Sequence, residues 1–139
     1  MIRLWQDAKL PTKNHYNDAG LDLYSHENTI ILNGSVALVS TGIAMAIPDG
    51  YCGVIKDRSG IAVKRGLEVV AGIIDSQYRG EIKIAFVNNT SDLDGSVISK
   101  GERVAQMLIL PVPKVDLVEV SNLDETERGK DGFGSSGTA

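Results

Sequence analysis

Cysteine is nearly absent. The one thiol, Cys52, excludes an internal disulfide and a multi-cysteine metal cluster, and it reads as a small buried hydrophobe on a strand. Long apolar runs are absent as well. None approaches the roughly 20 residues of a membrane span, and the N-terminus lacks the pattern of a signal or transit peptide. A soluble, cytoplasmic protein is expected, in a host cell's cytoplasm if the source is viral. Excess charge of either sign is lacking: the formal net charge is -4 over 139 residues. Such a chain exerts no bulk attraction on nucleic acid or on an anionic membrane. Any polyanionic ligand must therefore be gripped by local donors. Also missing are the G-x-x-x-x-G-K-[ST] phosphate loop, a dinucleotide G-x-G-x-x-G after a strand, and the H-x-E with P-C-x-x-C pattern of zinc deaminases. No nucleophile triad has evident members. His15 and His26 lie in polar loop surroundings and read as surface residues.

What remains is a β pattern in one domain. Short β-rich runs at residues 1–5, 19–25, 29–32, 36–39, 43–47 and 51–56 are split by turn signals, among them Asn33-Gly34, Thr41-Gly42 and Pro48-Asp49-Gly50. Residues 57–66 break the pattern and predict a helix of about two turns. Asp57 or Ser59 is a candidate cap, Lys64 and Arg65 suit its negative end, and Gly66 its C-terminal stop. Further strands are expected at 67–70, 96–99, 103–110 and 115–120. Many short strands with one small helix argue for an all-β sandwich or barrel. After residue 120 the apolar pattern stops, and residues 125–139 form a polar, Gly-rich segment with one large apolar residue, Phe133. The division expected is a β domain over 1–120 and a tail over 121–139.

The stretch from Ala71 to Ile82 organises the chain. An apolar strand, Ala71-Gly72-Ile73-Ile74, runs into Asp75. Tyr78-Arg79-Gly80 then turns the chain into an alternating strand with Ile82, Ile84 and Phe86 on one face and Glu81, Lys83 and Ala85 on the other. A β-hairpin with Asp75 and Tyr78 at its turn is predicted. This suits a binding site, though it also suits an ordinary hairpin with a solvated Asp.

Three further stretches carry chemistry. Arg58-Ser59-Gly60 opens the helix, where free N–H groups and a guanidinium fork suit phosphate; a capped helix start with an exposed Arg is the alternative. Gln106 stands in the apolar run 104–110, where its amide must find a partner, either a neighbouring backbone group or a ligand. The tail residues Arg128, Phe133, Gly134, Ser135 and Ser136 combine a phosphate donor, an aromatic plate, hydroxyls and mobile glycines. Those are parts for closing over a nucleotide, or else a solvated linker.

Together these stretches resemble the trimeric dUTPase family. Five motifs occur in order: Ala19-Gly20-Leu21-Asp22-Leu23, Arg58-Ser59-Gly60-Ile61-Ala62, Gly72-Ile73-Ile74-Asp75 with Tyr78-Arg79-Gly80, Gly101-Glu102-Arg103-Val104-Ala105-Gln106, and residues 128–137. The resemblance implies a jelly-roll-like β homotrimer with active sites between subunits, each closed by another chain's tail. It implies Mg²⁺-assisted hydrolysis of dUTP to dUMP and pyrophosphate, which limits uracil in DNA and supplies dUMP for thymidylate synthesis. By the same resemblance Asp75 activates the attacking water and Tyr78 packs under the deoxyribose. Main-chain groups of Gly72, Ile73 and Ile74, with the region of Lys83, read uracil. Arg58, Ser59, Gly60 and Gln106 hold the triphosphate, Phe133 stacks on uracil, and Arg128 reaches the γ-phosphate, with Gly134 and Ser135 in the closing segment. No residue binds the metal directly, and Asp22 is at most an indirect contributor.

The chain departs from the family pattern at Asp131, where Gly is frequent, at Ser136 in place of Thr, and at Asp57, where Pro or Gly is common and where pairing with Arg58 is an alternative to capping. The related dCTP deaminases share the fold, but the Ile-Ile-Asp-Ser-Gln-Tyr-Arg-Gly hairpin favours hydrolysis over deamination. A dUTP-sensing regulator on the same fold is the other alternative.

Overall fold

In the computed structural model, described here for residues 1–91 and 94–130, the alternating run that follows Gly80 becomes a strand at the centre of one sheet. Its inward residues Ile82, Ile84 and Phe86 are fully buried, as alternation demands. Ten strands and one helix follow in the order β1 (Ile2–Arg3), β2 (Leu21–Tyr24), β3 (Thr29–Ile31), β4 (Val36–Ala44), β5 (Tyr51–Asp57), α1 (Ser59–Arg65), β6 (Leu67–Val69), β7 (Ile73–Ile74), β8 (Glu81–Asn88), β9 (Ser96–Ile98) and β10 (Arg103–Pro111). They form two four-stranded sheets, β1-β4-β8-β6 and β2-β10-β5-β7, and a β3-β9 ribbon. All pairings between these strands are antiparallel. Side chains of all three sheets meet in one core, among them Leu23, Ile55 and Met107 from one sheet, Val39 and Phe86 from the other, and Ile31 and Ile98 from the ribbon. This is the all-β, jelly-roll-like sandwich with one short helix that the sequence implies. Among the described residues no helix is long and apolar enough to cross a membrane.

Four expectations need correction. The stretch around Asp75 is not a hairpin. β8 pairs with β6, Val69 facing Phe86, and Val70 N–H still reaches the Ala85 carbonyl at 2.9 Å. Ala71 and Gly72 then take φ of 63° and 98°, a left-handed kink that is strained for alanine and open to glycine. The kink diverts β7 to the other sheet, where Ile74 faces Gly53 of β5. Residues 75–80 thus bridge the two sheets, which alternation along each strand could not reveal.

Thr41-Gly42 is not a turn between two strands but a bulge inside β4. Between Ser40 and Ala44 the strand advances four residues while β8 advances only from Lys83 to Glu81. Gly42 absorbs the excess at φ 69°.

The strand expected over 115–120 does not form within this chain. Val115 and Leu117 are 75% and 96% exposed, because no edge of the chain's own sheets pairs with them.

Helix α1 is flanked by Arg58 in an extended conformation and has no side-chain cap. The Asp57 carboxylate instead faces Lys56 at 3.9 Å and the Val69 N–H at 3.5 Å. Two smaller readings also shift. His26 stacks on Trp5 with ring centroids 4.9 Å apart and is mostly buried rather than a surface residue. Cys52 lies on β5 as expected but is only half-buried.

Candidate active site

β10 runs between β2 and β5, and its register places Gln106 opposite Asp22 on one side and Lys56 on the other. That geometry gathers distant motifs at one end of the sheet. A cavity of about 580 Å³ there is lined by Asp22, Arg58, Ser59, Gly60, Arg103 and Gln106, among others. Asp22 is the hub of the cluster. Its side chain is 15% exposed, with one oxygen 3.2 Å from Arg58 Nε and the other 3.2 Å from Arg103 Nη1. A carboxylate shared by two guanidinium groups fixes their positions beside the cavity. Ile61 and Ala62 donate to the Arg58 carbonyl at 2.9 and 3.0 Å, so the Ser59 and Gly60 amides precede the first intrahelical bond. Gln106 Nε2 donates to the Asp57 carbonyl at 3.2 Å, which satisfies part of its amide and orients it. A Cβ on Gly20 would lie 2.7 Å from Gln106 Oε1 and 3.0 Å from its Cβ, so only glycine there lets Gln106 lie where it does.

A second cavity, about 310 Å³, is lined by Leu38, Ile73, Ile74, Asp75, Tyr78, Glu81 and Lys83. The turn above it is closed by Tyr78 N–H donating to the Asp75 carbonyl at 3.1 Å. Arg79 Nη1 donates to the Ser76 and Tyr78 carbonyls at 2.6 and 2.9 Å. Asp75 is exposed and also lines a neighbouring cavity with Tyr51 and Cys52. Tyr78 Oη donates to the Glu81 carbonyl at 2.9 Å. Gly72 is half-buried, with its carbonyl accepting from Ile55 N–H at 2.8 Å.

The Glu81 carboxylate in this cavity is held by several partners at once. Burial opposes its ionisation, but the Ser40 hydroxyl, the Gly42 N–H and the Lys83 ammonium outweigh burial and hold it below its ordinary value. A depressed carboxylate contributes stability that is present above its unfolded value and lost as pH falls through its folded one. The melting temperature of the protein is accordingly expected to fall on the acid side more steeply than that of a Glu81→Gln variant. Equal slopes in thermal melts across that range would count against the assignment.

The residues expected to act together thus fall into two groups within one chain. Arg58, Ser59, Gly60 and Gln106 share the first cavity with Asp22; Ile73, Ile74, Asp75, Tyr78 and Lys83 share the second. The two linings have no residue in common. Arg128 lies in an exposed turn where Gly129 N–H meets the Thr126 carbonyl at 3.0 Å. Phe133, Gly134, Ser135, Ser136 and Asp131 lie outside the described residues. Sequence reasoning did not single out Arg103 or Glu81 as site residues. Glu81 gave a faint signal, since an acid two positions before Lys83 on a strand shares its face. Arg103 stood only as a member of the Gly101–Gln106 motif, and its pairing was hidden because its partner Asp22 is 81 residues away.

One cavity thus presents paired arginines and helix-start amides, groups that suit phosphate, and the other an exposed carboxylate beside apolar walls and a tyrosine. The dUTPase family model matches residues 6–137. The deoxyuridine 5'-triphosphate nucleotidohydrolase of Mycobacterium leprae is 46% identical over 144 residues, covering 99% of this chain and 93% of that protein. Its counterpart from Corynebacterium diphtheriae is 48% identical over 140 residues, covering 97% and 90%. Among solved structures, a mutant dUTPase of Staphylococcus bacteriophage 80alpha with dUpNHpp superimposes with a TM-score of 0.90 at 32% identity, covering 99% of this chain and 96% of that one. A mutant dUTPase from phage phi11 of S. aureus, described with a structural Mg(II) ion, gives 0.79 at 29% identity, covering 87% and 95%. The chain belongs to the dUTPase family.

Proposed function

We propose that this protein hydrolyses dUTP to dUMP and pyrophosphate, with the nucleoside in the cavity of Ile73, Ile74, Asp75 and Tyr78 and the triphosphate against Arg58, Ser59, Gly60 and Gln106. The observation that carries the reading is the separation of these groups into a small, mostly apolar-walled cavity bearing Asp75 and a larger polar one bearing two arginines. Asp75 takes a proton from a water whose oxygen attacks the α-phosphorus. The bond to the bridging oxygen breaks and pyrophosphate leaves. Tyr78 packs under the sugar where a 2′-hydroxyl would otherwise fit, and main-chain groups of residues 72–74 read the base. Arg58, Arg103 and the helix-start amides oppose the negative charge of the phosphates.

The two half-sites join across subunits of a homotrimer, with residues 1–120 as the catalytic domain and residues 121–139 as the closing tail, in which Phe133 stacks on uracil and Arg128 reaches the γ-phosphate. Supporting this is the exposed apolar run of Val112, Val115, Leu117, Val118, Val120 and Leu123, which a single chain leaves in water at a cost that burial against a second copy removes. Mg²⁺ is the expected cofactor. Among the described residues no group of three or more His, Cys, Asp or Glu is placed to hold a metal, and both Asp22 oxygens face arginines. The ion would therefore be carried mainly by triphosphate oxygens and water, and when bound it spreads the developing phosphate charge. The cytoplasm is the proposed location, with neither nucleic acid nor membrane as a partner.

The test is pyrophosphate release from dUTP, dCTP, dTTP and UTP with Mg²⁺, with ammonia followed in parallel. Release from dUTP alone supports the reading. Ammonia from dCTP would assign a deaminase, and tight dUTP binding without turnover a sensor. Gly20→Ala should displace Gln106 and raise KM for dUTP roughly tenfold, the scale of one lost hydrogen bond, with kcat less affected. An unchanged KM in steady-state assays would remove Gln106 from the phosphate grip.

A further inference from the structure

Glu81 is tied to both walls of the smaller cavity. It opens β8 immediately after Tyr78-Arg79-Gly80, and its side chain is 12% exposed. One carboxylate oxygen, Oε1, receives both the Ser40 hydroxyl and the Gly42 N–H, the latter at 2.9 Å. The other, Oε2, lies 3.5 Å from Lys83 Nζ. The same residue's carbonyl receives the Tyr78 hydroxyl at 2.9 Å. Of the two donors from β4, Gly42 lies inside the bulge and Ser40 at its edge. Gly42 at φ 69° turns its N–H onto the carboxylate, and a Cβ there would press on Ala8 Cβ at 2.8 Å and His26 Cγ at 3.0 Å. Thr41 clips the bulge down by donating to the Ile82 carbonyl at 2.5 Å. Tyr78, Lys83 and Glu81 all line the cavity assigned to the nucleoside.

We propose that Glu81 is a positioning residue for sugar discrimination: its carboxylate holds Lys83, its main chain latches the Tyr78 ring, and the β4 bulge sets where both stand. The inference rests on the reading of this cavity as the nucleoside site. Glu81 does not touch the reacting phosphate, so its loss acts on binding and selectivity rather than on the chemical step. Glu81→Gln no longer attracts Lys83 and offers Ser40 and Gly42 only an uncharged acceptor, a weaker anchor for the start of β8 whose carbonyl latches Tyr78. Tyr78→Phe keeps the ring but cuts the latch, at a position 43% exposed.

The experiment measures kcat and KM for dUTP and UTP in the wild type, Glu81→Gln, Tyr78→Phe and the double variant, below the melting temperature of each. Glu81→Gln is expected to keep kcat, raise KM for dUTP, and lower the preference for dUTP over UTP by roughly tenfold, one hydrogen bond's worth. The double variant should lose less than the product of the single losses, because both act through one geometry. If Glu81→Gln does not fold, Ser40→Ala carries the same expectation at a few-fold loss of preference. Unchanged preference in the variant that folds, purely multiplicative losses, or losses in kcat alone would overturn the inference while leaving the dUTP reading intact. A wild type that releases no pyrophosphate from dUTP would overturn the reading itself, and the inference with it.

Discussion

Replacing Asp75 with Asn is expected to lower kcat for dUTP by about 10²-fold or more, the scale of a lost general base, while the fold and nucleotide affinity stay close to wild type. The side chain is exposed and makes no ion pair among the described residues. Substituting an isosteric amide at such a site changes stability little, within about 0.5 kcal/mol. The amide keeps an oxygen to orient water but no longer accepts its proton. Single-turnover pyrophosphate release, set beside binding of the non-hydrolysable dUpNHpp, separates the two properties. Turnover equal to wild type would move the general base elsewhere. Weakened binding with unchanged turnover would make Asp75 a ligand contact rather than the base.

Removing residues 128–139 is the second change expected to have a large effect. In the proposed reading this deletes an aromatic stacked on the base, worth about 1–3 kcal/mol by analogy with base–aromatic stacking elsewhere, and a charged hydrogen bond to phosphate worth about 1.5–3 kcal/mol. Their sum corresponds to a loss of roughly 10²- to 10⁴-fold in kcat/KM at about 1.4 kcal/mol per decade. The core should not notice. Among the described residues the last strand ends at Pro111, and residues 112–130 are all exposed. The apolar residues at 115–123, proposed to pack between subunits, remain in the shortened chain. Thermal melting and light scattering should therefore match the full-length protein. A monomeric product would show that the deleted segment holds the assembly together, and full activity would reduce it to a linker.

Local sequence chemistry settled the parts. Alternation at Ile82, Ile84 and Phe86 defined the buried face of β8, because a strand has only two faces. Gly66 and the two cations before it marked where α1 ends, and Asn33-Gly34 and Pro48-Asp49-Gly50 marked turns, because backbone conformations at φ > 0 and fixed φ are properties of single residues. The five motifs were legible for the same reason: each is a short run whose functional groups sit within a few residues. Tertiary structure decided where the parts go. Only the pairing of β10 between β2 and β5 set Asp22 between Arg58 and Arg103, since strand register depends on partners far along the chain. The divergence of β7 from β8 at Ala71-Gly72 and the bulge of β4 against Glu81 likewise depend on which sheet each strand joins. Alternation is silent on that choice, because it reports that a face is buried and never what buries it.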